Sequence, residues 1–107
     1  MSGRSPAPEP VHVATISMDL RLRQARSLKE KRAVLRPIID GSRRRYGVAA
    51  AEVAHQDAWH LATVGMAAVS GSASHAREMV DSVERFVWSF PEVEVVDVRR
   101  GWAADEE

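Results

Sequence analysis

Between Val11 and Leu22 the chain alternates: His12, Ala14, Ile16, Met18, Leu20 and Leu22 fall on one face, and Val11, Val13, Thr15, Ser17, Asp19 and Arg21 on the other. A period of two over that length predicts a strand with one buried and one partly wet face. The period then changes. Ser27-Leu-Lys-Glu30 reads as a capping box, with Ser27 as N-cap and Glu30 reaching back to its amide. Leu28, Leu35, Ile39 and Tyr46 recur at helical spacing, and Gly47 suits the left-handed residue past a helix end. The pattern predicts a helix over Leu28 to Arg45, with Pro37 bending or breaking it near Arg36.

Val48 to Ala54 and Leu61 to Ser70 read as two strands joined by the polar loop His55 to His60. Ser74 is placed to cap a second helix, whose apolar face comprises Ala76, Met79, Val80, Val83, Phe86, Val87 and Phe90 and which Pro91 stops. A last strand is expected over Val93 to Trp102, with Val96, Val98 and Trp102 on one side and Asp97 and Arg99 on the other. Strand, helix, strand, strand, helix, strand predicts an α+β, ferredoxin-like βαββαβ sandwich: a four-stranded antiparallel sheet with two helices on one face. At 107 residues the chain suits one domain over 11–102, with a disordered proline-rich tail at 1–10 and an acidic tail at 103–107. The absence of cysteine excludes disulfides, cysteine metal clusters and a cysteine nucleophile. With no membrane-spanning run and no secretory signal, a cytoplasmic protein that does not enter the membrane is expected.

Net charge is zero, but its distribution is not even. Between Arg21 and Arg45 ten basic residues face two acidic ones, a surplus of eight, and the remainder carries the opposite surplus, five against thirteen. Lys29, Arg32, Arg36 and Arg43 fall within roughly a 60° stripe at about 100° per residue, and Arg21, Arg23 and Arg26 lead into it. Such an edge is suited to tracking a phosphate backbone. Two other readings compete: a solvated face whose long stems cover apolar surface, and neutralisation by Glu78, Asp81 and Glu84 of the second helix. The third strand carries no aromatic, so base stacking on the sheet is not expected.

His55, Asp57 and His60 form a possible ligand site in the hairpin loop, but Asp57 equally suits a turn, and Trp59 is then expected to be mostly buried. Trp88 falls on the polar side of the second helix, near Arg77, Asp81 and Glu84, and is either a partner contact or packed over its neighbours' stems. No nucleophile stands at readable spacing from a base, and Ser70-Gly-Ser-Ala-Ser lacks the pattern of a nucleotide phosphate loop. No catalytic residue, metal or cofactor is assigned.

Ser27-Leu-Lys-Glu-Lys-Arg32, followed by Ala51-Glu-Val-Ala-His55-Gln-Asp57-Ala-Trp59 and Val64-Gly-Met-Ala-Ala-Val-Ser70, resembles the YlxP-like family of bacterial proteins of unknown function. The resemblance implies a ferredoxin-like fold, a small cytoplasmic protein and no established enzymatic activity. Because members are often encoded beside translation and ribosome-maturation factors, it also implies a role near RNA or the ribosome. The leading expectation is a non-enzymatic accessory factor contacting structured, ribosomal RNA through Arg23, Arg26, Lys29, Arg32, Arg36 and Arg43. The alternative is a homodimeric protein-interaction module. A small enzyme or metal site at the His-Gln-Asp hairpin ranks below both.

Overall fold

Local signals place the elements. A computed structural model of the chain describes residues 10–104, so the tail expected at 1–10 lies outside the described residues except for Pro10, as do 105–107 of the acidic tail. The elements are β1 (His12–Arg21), α1 (Leu28–Tyr46), β2 (Ala49–Ala54), β3 (Leu61–Ser70), α2 (Ala73–Trp88) and β4 (Glu94–Ala104). The four strands form one antiparallel sheet in the order β2-β3-β1-β4, and the βαββαβ chain order makes the fold ferredoxin-like. The alternation of β1 becomes the division of the sheet. Ala14, Ile16, Met18 and Leu20 are buried and register against Ala68, Met66, Val64 and Ala62 of β3. Leu35 and Ile38 of α1 and Ala76, Val80, Val83 and Val87 of α2 complete the core. Each of the larger side chains among these contributes about 1.5–3 kcal/mol by burial.

Ser27 caps α1 as expected, its Oγ accepting from the Glu30 amide at 3.1 Å. Glu30, however, reaches one residue further back than a standard capping box and accepts from the amide of Arg26 at 2.7 Å. Gly47 closes the helix in the left-handed region at φ 69°, its amide donating to the Arg43 carbonyl. Pro37 does not break α1, which runs unbroken through it. Pro37 and Ala33, four residues earlier, both lie on the exposed side, so water can take the carbonyl that the missing amide leaves open. The cap of α2 is Ser72, not Ser74: Ser72 Oγ accepts from the His75 amide at 3.2 Å, and Ser74 lies within the first turn. The helices meet closely at Gly41, where an added Cβ would come 2.5 Å from Phe86 Cζ. The Phe86 ring is itself wedged against Tyr46 and Phe90.

The last strand also differs from expectation. The β1–β4 register shifts between Asp19 and Leu20, which pair with Asp97 and Val95. Val96 is the extra residue of that bulge and is exposed, while Val95 takes the core-facing place beside Val98.

One buried charge joins the first half of the fold. Lys31 is 1% exposed, and its Nζ donates to the carbonyls of His55 at 2.6 Å and Ala58 at 2.7 Å while lying 2.7 Å from Glu52 Oε2. The ammonium thus has two hydrogen-bonded carbonyls and one ion-paired carboxylate, which is what makes its burial tolerable. His55 holds a positive φ of 64°, and its carbonyl also accepts from the Ala58 amide, closing the turn at the end of β2. The Ser-Leu-Lys-Glu-Lys-Arg and His-Gln-Asp segments are therefore two sides of one contact.

Lys31→Met is expected to lower unfolding free energy by roughly 3 kcal/mol, since it strands Glu52 and the Ala58 carbonyl. Urea denaturation checks this. A Lys29→Met control, at an exposed neighbour, should change stability by less than about 0.5 kcal/mol.

Candidate nucleic-acid interface

The inward pointing of Lys31 fixes which way the rest of α1 faces. Lys29, Arg32, Arg36 and Arg43 are exposed along the side of the helix next to β2. The opposite side, at Gly41, meets α2. Among the described residues no carboxylate oxygen lies within 4.0 Å of the charged nitrogens of Arg26, Lys29, Arg32 or Arg36. Arg32 and Arg36 rim a shallow cavity of about 210 Å³ floored by Leu35 and Ile39 and bordered by Asp40 and Glu52. Arg43 is differently placed: its Nε and Nη2 both donate to the Ala50 carbonyl, at 3.1 and 2.7 Å, and its Nη1 lies 3.8 Å from Asp40. Arg23 is held by Glu94 at 2.6 Å, and Arg21 approaches the same carboxylate at 3.4 Å. The six expected cations therefore divide into four that carry uncompensated charge and two that are engaged.

Helix two does not neutralise this edge. Asp81 and Glu84 face the other way and grip Arg100 of β4, at 2.7 and 2.6 Å. Arg100 and, second, the Trp88 indole hold the Glu84 carboxyl below its ordinary value against burial that pushes it up.

The remaining candidates take positions of their own. His55, Asp57 and His60 are all exposed, and among the described residues no group of three His, Asp or Glu side chains is arranged to hold a metal ion. The loop they occupy is organised from beneath by Lys31. Trp59, expected to be mostly buried, is 52% exposed, because the backbone contact of His60 with Leu22, at 2.8 Å, closes this end of the sheet without the ring. Trp88 is 55% exposed and donates from Nε1 to Glu84 Oε2 at 3.1 Å, on the side of α2 where Glu84 also takes Arg100 of β4.

The helix-free face of the sheet has small or polar side chains at its centre: Thr15 and Ser17 of β1, Gly65 and Ala67 of β3, Gly101 of β4. Its strands carry no aromatic on this face, so it offers no stacking platform. At one end Arg99 forks onto both oxygens of Asp19, at 3.0 Å each, and also donates to Asp97 and Ser17, while Thr63 donates to Asp19 at 2.8 Å. This network was not legible in the sequence, because it depends on register: Asp19 stands opposite both Thr63 and Asp97. Arg99 first, and Thr63 second, hold the Asp19 carboxyl well below its ordinary 3.8, at about 2.

A family profile described as a protein of unknown function (DUF503) matches residues 13–100, which include α1, the hairpin and both edges of the sheet. The chain belongs to this family. It is also similar to the uncharacterised protein YlxP of Bacillus subtilis (strain 168), with 40% identity over 78 residues that cover 73% of this chain and 85% of that protein. No helix among the described residues is long and apolar enough to cross a membrane.

A depressed carboxylate stabilises the fold above its unfolded-state value and ceases to as pH falls through its folded-state value. Stability is therefore expected to drop as pH falls from about 4 towards about 2, and Asp19→Asn should flatten that part of the profile. Thermal denaturation at a series of acid pH values checks it.

Proposed function

We propose that this protein is a non-enzymatic accessory factor of the cytoplasm that contacts structured RNA, ribosomal in origin, through the exposed edge of α1. The observation that carries the reading is the set Arg26, Lys29, Arg32 and Arg36, exposed and without carboxylate partners among the described residues although the chain as a whole is neutral. A chain with equal numbers of acidic and basic groups can satisfy its cations internally. Here Asp81 and Glu84 of α2 are committed to β4, Glu78 has no ion-pair partner among the described residues, and those cations face water. A rigid helix spaces Lys29, Arg32 and Arg36 along one side, with Arg26 just ahead of its cap, which suits a regular phosphate backbone. The absence of aromatics from the helix-free face of the sheet argues against reading splayed single-stranded bases there and favours recognition by shape and phosphate contact. The family's frequent placement beside translation factors, noted with the resemblance above, points the same way.

In a fluorescence titration against a structured ribosomal RNA fragment, wild type should bind with a log–log salt slope of roughly −3, four phosphate contacts at about 0.7–0.9 each. The Arg32→Glu, Arg36→Glu double variant should abolish binding while unfolding at the wild-type temperature. Unchanged affinity in that folded variant would overturn the proposal.

A further inference from the structure

The two edges of the sheet are treated differently. β2 is six residues long and bulges at Val53, which falls between the paired residues Glu52 and Ala54. Its carbonyls at Ala50 and Glu52, two residues apart and so directed to the same side, accept from the side chains of Arg43 and Gln56. Side chains that occupy strand acceptors block a further strand from pairing there. β4, the other edge, is eleven residues long, and among the described residues no side chain bonds to its backbone.

The helix side of β4 is open as well. α2 lies over β1 and β3, and α1 over β2. α2 meets β4 through Arg100 and through Arg77, whose guanidinium sits 5.1 Å over the Trp102 ring. Trp102 remains 43% exposed, Val96 46% and Trp88 55%. Of the seven large hydrophobic residues exposed among the described ones, two lie in this strand and Trp88 is linked to it through Glu84, which takes both the Trp88 indole and Arg100. An extended peptide would pair with the edge and leave that apolar trough open. A partner that brings its own helix layer closes both at once.

We propose that this partner is a second copy of the chain, the two β4 strands pairing antiparallel about a two-fold axis into one eight-stranded sheet. The proposal goes beyond the RNA reading and uses the opposite end of the molecule. Charge narrows the register and favours one dyad. The pleat allows only pairings that keep both residues on the same face of the sheet. A dyad at Asp97, Arg99 or Arg100 would set like charges directly opposite, which is destabilising. A dyad at Val98 sets Asp97 of each copy opposite Arg99 of the other, on the helix-free face where both already lie. It also brings the trough of each copy, with Trp88 and Trp102, against the other. Such a pairing is isologous and closes at two.

The test is sedimentation velocity of the full chain, without RNA, from about 1 to about 100 µM, since dimer population follows concentration. Wild type should reach twice its 11.8 kDa mass, with tryptophan emission shifting to the blue as it does. Asp97→Arg alone and Arg99→Asp alone should each remain at monomer mass, and a one-to-one mixture of the two should recover the doubled mass. If Arg99→Asp fails to fold, because it then faces Asp19, amide exchange in wild type decides: β4 amides should gain protection with concentration and β2 amides should not. A wild type at monomer mass throughout, an Asp97→Arg variant that doubles like wild type, or β4 amides indifferent to concentration would each overturn the proposal.

Discussion

A single buried ammonium sets the geometry on which the rest depends. Burying Lys31 is tolerable only because three oxygens converge on it from β2 and the hairpin turn. That requirement ties the second turn of α1 to residues more than twenty positions later and sets the rotation of the helix about its own axis. Once Lys31 points inward, helical periodicity places Lys29, Arg32 and Arg36 outward on the side next to β2. Gly41 on the other side admits the Phe86 ring and lets α2 approach closely. The basic edge is thus a consequence of how the core is anchored.

The same logic of commitment governs the remaining charge. Arg100 occupies Asp81 and Glu84 of α2, Arg99 takes Asp19 and Asp97, and Glu94 takes Arg21 and Arg23. Each group joins elements distant in sequence, as the ion pairs from β4 to β1 and to α2 show. Exposed pairs of this sort contribute little stability individually. Their larger effect is on the field, since they engage Arg21, Arg23, Arg99 and Arg100 while Arg26, Lys29, Arg32 and Arg36 stay unpaired among the described residues.

Much of this architecture was legible because local rules and tertiary packing agree. The alternation of β1, the Ser27 cap, the Gly47 terminus and the apolar stripe of α2 each predict what the folded chain shows. Where local rules were degenerate, they failed. Ser72 and Ser74 are equally good caps by chemistry, and only the strand end decides between them. The Val96 bulge arises from pairing with β1, to which a single strand's pattern is blind. Lys31 was the most consequential omission. In sequence it is one cation among ten, and the sign of its exception is spatial, carbonyls brought to it by a hairpin. The exposure of Trp59 has the same origin, since the end of the core is closed by backbone contacts.

The placement of Arg43 has a consequence for which substitutions this position can accept. Its fork clasps the Ala50 carbonyl at the rim of β2 while its charge adds to the electropositive helix. A lysine there would preserve the charge yet forfeit the two-pronged grip, because an ammonium is a point donor without a planar fork. The bared strand would then be sticky, open to end-on stacking of molecule upon molecule. Protection of the strand edge and charge on the helix thus meet in one side chain.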